Sequence, residues 1–174
     1  MAKAGKIPYT DAMSAISLEK EWAGAPTILW VGMGGKGFPS SHKCRVPLSY
    51  KGVVQEGLFI DLFHKFSDLP GVPDKVCMTL VSADARVLAL DENGPTTHIN
   101  AVGYGMPHYQ RQADHPHLHF PVPESSSGYA EPIDRVPLEA LWRFFLQRAN
   151  IDGAPPFNIP PRGPQENSGQ MDLL

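Results

Sequence analysis

Cysteine is scarce and scattered: the chain has only Cys44 and Cys77, a spacing that makes neither a metal motif nor a disulfide framework. Both are read as reduced thiols buried as small hydrophobes. Long apolar runs are missing too. No window approaches the roughly 18 to 20 uninterrupted apolar residues of a spanning helix, and Met1 to Lys6 lacks the basic-then-apolar order of a secretory signal. These absences predict a soluble, cytoplasmic protein without a membrane partner. Excess positive charge is also absent, since 15 Lys and Arg stand against 18 Asp and Glu for a net charge of -3. That balance excludes DNA wrapping through bulk charge, yet leaves room for a local RNA or nucleotide site. The chain has no internal repeat and no coiled-coil heptad.

What the sequence has in excess is 18 prolines and 16 glycines among 174 residues, which predicts many turns and few long helices. The length suits one domain with its own core. That domain is placed at 1–154, and the Pro-rich tail 155–174 is read as extended or disordered. A short helix is expected over 11–22, with Asp11 as its cap. Strands follow at 28–31, 44–50, 57–66, 75–81 and 86–91, the last two joined as a hairpin across Ser82 to Ala85. Leu58, Ile60 and Leu62 alternate toward the core. The segment 96–114 reads as a long functional loop leading into a strand at 115–120.

The best helix lies near the C-terminus. Pro137 suits a first helical position, and Leu138, Leu141, Trp142, Phe145 and Leu146 form one stripe. The fold class is therefore α+β: an antiparallel sheet of about five or six strands over 28–122, packed by the helix 137–149.

His115, His117 and His119 fall at i, i+2 and i+4, which on a strand turns three imidazoles to one side. Neutral imidazoles so placed can ligate a transition metal, and an imidazole near its ordinary pKa can pass protons at neutral pH. His98 and Asn100 follow the strand hairpin, and the loop beyond offers Tyr104, His108, Tyr109 and Arg111. An acid and base pair of His117 and His119, helped by His98, suits cleavage of RNA or a nucleotide phosphodiester without a cofactor. Asn100, Arg111 and Tyr129 are then the candidates to hold substrate. The alternative is a zinc site of His115, His117 and His119, with Asp114 or His98 as a further ligand. A different class of reading is a non-catalytic protein-binding factor of phage or host defence, engaging its partner through the tail.

Gly32-Met33-Gly34-Gly35-Lys36-Gly37 satisfies G-x-G-x-x-G after an apolar run. Pro39 opposes the helix that a dinucleotide site needs there, so a glycine loop at a cleft rim is the preferred reading.

Gly94-Pro95 with His98 and Asn100, Pro116-His117-Leu118-His119, Tyr129-Ala130 with Pro132, and the helix ending at Asn150-Ile151 together resemble a group of short prokaryotic P-H-x-H domains of poorly defined function. The likeness covers about residues 57–155. The P-H-x-H element is also similar to one in the TumE-like ribonuclease toxins, which implies RNA cleavage, a cognate antitoxin as partner, and functional positions at His117 and His119. His115-Pro116-His117-Leu118-His119-Phe120-Pro121-Val122 resembles the strand of histidine-triad nucleotide hydrolases. That likeness implies attack by His117 on an α-phosphate, with His119 or His115 assisting.

Overall fold

A computed structural model describes residues 6–34, 40–94 and 98–163. Helix α1 (Tyr9–Ser17) opens the chain, followed by strands β1 (Lys20–Trp22), β2 (Val31–Gly32), β3 (Ser41–Tyr50), β4 (Val53–Lys65), β5 (Lys75–Ser82) and β6 (Ala85–Asp91). Then come β7 (His98–Ile99), β8 (Gln112–Ala113), β9 (His117–Val122), β10 (Ser125–Pro132), helix α2 (Leu138–Ala149) and β11 (Ile151–Asp152). The main sheet runs β10-β9-β6-β5-β4-β3-β1-β11, with β2 beside β3, and β7 pairs with β8 in a separate ladder.

Two tight hairpins build the centre of the sheet. Lys51 and Gly52 (φ 49° and 75°) join β3 to β4, and Ala83 and Asp84 (φ 47° and 61°) join β5 to β6. Two successive left-handed residues give the turn whose twist matches that of the flanking strands. Alternation then sends Leu62, Met78, Leu90 and Leu118 to one face of the sheet. There they meet Ala12 of α1 and Leu141, Trp142 and Phe145 of α2 in a continuous apolar core.

The α+β class holds, but the expected antiparallel sheet of five or six strands is corrected to a larger, mixed one of nine strands among the described residues. Its mixed character comes from β11, which returns after α2 to lie parallel to β1. The unexpected strands are short, or, like β10 with Ser-Ser-Ser-Gly at its start, lack an apolar alternation. They are held by backbone pairing rather than by side chains a sequence pattern would reveal. Of the expected first strand, 28–31, only Val31 lies in a strand, the short β2, and β10 follows β9 where none was anticipated.

The first helix stops at Ser17, short of the expected Trp22. Lys20 enters β1 beside Ile151 instead, and its buried Nζ turns back to donate to the carbonyls of Ala15 (2.7 Å), Ile16 (2.9 Å) and Leu18 at the helix end. Beyond α2, residues 154–163 have no regular structure but are tied down. Trp142 Nε1 donates to the Pro155 carbonyl (2.8 Å) and Trp30 Nε1 to that of Asn158 (2.7 Å). Residues 164–174 of the tail, and 35–37 of the glycine loop, lie outside the described residues.

Candidate active site

Strand β9 carries the histidines because its neighbours set their register. Pairing lays Cys77, Asp91 and His117 side by side across β5, β6 and β9, with Thr79, Ala89, His119 and Ala130 in the adjacent row. Alternate residues share a face, so Asp91, His117 and His119 project from the side opposite Leu90 and Leu118. Together with His98, His115, Lys75, Arg86, Asn93 and Gly94 they line a polar pocket of about 200 Å³.

Both imidazoles aim at one oxygen. Asp91 Oδ2 lies 3.5 Å from His117 Nε2 and 3.3 Å from His119 Nε2, and one ligand atom from each of the three residues falls within 4.8 Å of the others. These contacts are longer than the roughly 2.7 to 2.9 Å of a charge-assisted N–H···O bond. These two separations are close to the edge of a tetrahedron, since bonds of roughly 2.0 to 2.2 Å to a zinc ion place neighbouring ligand atoms about 3.4 Å apart. The group as a whole spans up to 4.8 Å, so the two imidazoles would have to draw together to close on an ion. The Nδ1 atoms of both rings are buried and have no hydrogen-bond partner among the described residues. What holds the rings is the strand and the neighbouring imidazoles, with centroids 4.9 Å apart between His117 and His119 and 4.5 Å between His115 and His117.

The protonation states of Asp91 and His119 suit metal ligands, although Lys75 and Arg86 line the same pocket. Burial opposes ionisation of Asp91, but His117, His119 and the Cys77 thiol beside it outweigh that and hold the carboxyl well below the usual carboxylate range. Burial lowers the His119 pKa against the pull of Asp91, so an anionic oxygen faces a neutral imidazole, the protonation states a metal takes. Burial also lowers His115, with His117 adding to the effect, and pushes the Cys77 thiol up to about 12, far from a reactive thiolate.

His98 reaches the pocket from β7. Its ring centroid stands 4.6 Å from that of His119 and 6.0 Å from that of His117. Nε2 faces two acceptors, Asn100 Oδ1 at 3.0 Å and the Gly128 carbonyl at 3.1 Å. Asn100 Oδ1 is itself fixed as an acceptor by the Ala130 N–H (2.7 Å), while its Nδ2 donates to the carbonyls of Ala130 (2.8 Å) and His108 (2.9 Å). His98 Nε2 therefore carries the proton, and in the neutral ring Nδ1 keeps the free lone pair.

No family model, curated protein or solved structure matches the chain. The chemistry of the site is therefore argued from its own geometry. His98, His117 and His119 do converge, and His115 joins the rim. The expected substrate contacts do not. Asn100 is fully buried with its amide engaged, and Arg111 is exposed and absent from the pocket lining. Tyr129 pairs in register with Phe120, on the other face from His119, where its hydroxyl donates to Glu131 (3.1 Å) and accepts from the His108 N–H (3.2 Å). Asp114, offered as a ligand, accepts from Gln112 Nε2 (2.8 Å) instead. The acidic member is Asp91, and Lys75 and Arg86 are the cations. Local pattern did not mark them, because β6 meets β9 across a connection of 25 residues, 92 to 116.

Proposed function

We propose that the pocket is the active site of a small metal-dependent hydrolase that cleaves phosphodiesters of RNA or of a nucleotide. The convergence of His117 Nε2 and His119 Nε2 on Asp91 Oδ2, at 3.5 and 3.3 Å, carries this reading. Displacement at phosphorus puts the attacking and leaving oxygens on opposite sides. An acid and a base must flank the phosphate, and two imidazoles that meet at one carboxylate oxygen leave no room between them for one. Two histidines and a carboxylate with an open side are instead the ligand set of catalytic zinc and non-haem iron sites. Such an ion, when bound, would polarise a phosphoryl oxygen and acidify a bound water.

The surrounding residues supply the rest. His98, with Nε2 committed as a donor, offers Nδ1 as the proton acceptor for the attacking water or hydroxyl. Lys75 and Arg86 line the same pocket, and with a divalent cation they make it strongly positive toward an anionic group. A volume of about 200 Å³ suits a phosphoryl group rather than a whole nucleotide.

The test is cleavage of a labelled RNA pool and of bis(p-nitrophenyl) phosphate by purified protein, with chelator and with zinc or manganese restored. Cleavage should vanish in chelator, return with the ion, and be lost in Asp91→Asn, while His98→Ala keeps metal binding but slows turnover. Cleavage that survives both chelator and Asp91→Asn would return the mechanism to histidine acid and base catalysis. No cleavage of either substrate by the metal-loaded protein would overturn the hydrolase reading.

A further inference from the structure

A second cavity adjoins the histidine pocket, and its chemistry is the opposite. It has a volume of about 540 Å³, is walled by Phe63, Phe66, Leu69 and Val72, and shares Lys75, Asn93 and Gly94 with the polar pocket. Leu69 and Val72 are 67% and 50% exposed, an unusual cost for apolar side chains beside an ionic site. The register explains the adjacency. Phe63 pairs with Cys77 and Cys77 with Asp91, so Phe63 stands on the same face as Asp91, two strands or about 10 Å away. Lys75 lies over the Phe63 ring, Nζ 5.8 Å from its centroid. At the shared wall stands Gly94, where an added Cβ would come 3.6 Å from both His115 Nε2 and Lys75 Cε. Gly94 therefore sits between His115 and Lys75 with no side chain of its own at the boundary.

We infer that this groove is the second half of the substrate site and takes a flat, apolar ring, a nucleobase, attached to the phosphoryl group held next door. The inference rests on the phosphodiesterase reading and deepens it by naming what the substrate carries. The occupant follows from the adjacency of the two cavities, which share Lys75, Asn93 and Gly94. A ligand bound by its phosphoryl group beside Asp91 reaches Phe63 within the span of one nucleotide, and a base offers an aromatic face to stack there. Lys75, which lines both cavities, is placed to meet the phosphate oxygens.

Titration calorimetry on the zinc-loaded protein tests it with adenosine 5′-monophosphate and ribose 5-phosphate, which share phosphate and sugar and differ by the base. The nucleotide should bind about tenfold tighter. Phe63→Ala should erase that advantage and leave ribose 5-phosphate affinity unchanged. Gly94→Val, which adds bulk to the wall the two cavities share and leaves Phe63 in place, should reduce the advantage in the same way. Equal affinity for the two ligands in the unmodified protein, or an advantage that survives both substitutions, overturns the inference while leaving the hydrolase reading intact. Ribose 5-phosphate that does not bind, or binds equally well to Arg86→Ala, removes the anion pocket, and both readings fall.

Discussion

The Nε2 of His98 lies 3.0 Å from the Oδ1 of Asn100, and that oxygen already accepts the Ala130 N–H at 2.7 Å. One carboxamide thereby seals the outer edge of β10 and sets the tautomer of the pocket histidine. Asn100→Ala leaves the Ala130 N–H and carbonyl without their partner in a buried place and takes the donor from the half-buried His108 carbonyl. The expected loss is about 2 to 6 kcal/mol, since each of the two fully buried groups costs roughly 1 to 3 kcal/mol when orphaned. Asn100→Asp keeps the acceptor for His98 but loses both donors, so it should retain more activity per folded molecule than Asn100→Ala. Urea midpoints, with turnover normalised to folded protein, check both.

A metal held by Asp91, His117 and His119 must stabilise the fold, because the unfolded chain does not present the three together. At an ion concentration one hundred times its dissociation constant the gain is about 2.7 kcal/mol, which raises the melting temperature of a domain of this size by about 5 to 10 °C. Zinc should shift the melting curve of the chelator-treated protein upward, chelator should reverse it, and Asp91→Asn should abolish the response. A melting temperature indifferent to zinc in the unsubstituted protein would count against the site.

Much of this was legible in the chain because the signals were local. The His117 and His119 alternation, the Leu138-to-Leu146 stripe and the Ser82-to-Ala85 turn each act within a few residues, and each appears in the structure. What was illegible depends on partners distant in sequence. Asp91 meets the two histidines only because β6 pairs with β9. Asn100 looked like a substrate contact because a polar side chain in a loop gives no sign that its partner is the Ala130 backbone. Tyr129 was misread for lack of a register, which places it beside Phe120 rather than His119.

Lys20 shows the same limit in the fold. A lysine with 1% exposure runs against the usual rule for burial, and its position after α1 is explained by the three carbonyls it caps. Lys20→Met keeps the length of the stem and removes the donors. The expected cost is about 2 kcal/mol, from carbonyls left without a partner, with fraying confined to α1. Hydrogen exchange should show faster exchange over residues 12–18 and unchanged protection in β4 and β5; uniform loss of protection would refute a local cap.

The second buried histidine pair makes the stability pH-dependent. His42 and His64 face each other across β3 and β4, and His64, 1% exposed at its side chain, has Nε2 at 3.4 Å from Asp74 Oδ2. Burial pushes the His64 pKa below its ordinary value; Asp74 opposes this, while His42 and Arg162 add to the lowering. Below about pH 6.5 the unfolded chain takes up a proton that the folded chain resists, so stability falls with pH. The contribution is complete above the unfolded value and is lost as pH drops toward the folded one. Urea midpoints measured from pH 7.5 to 5 should therefore decline. In the chelator-treated protein His119, also lowered by burial, adds a slope of the same sign, so His64→Gln should remove part of the decline and not all of it. A decline equally steep in His64→Gln would assign the whole effect elsewhere.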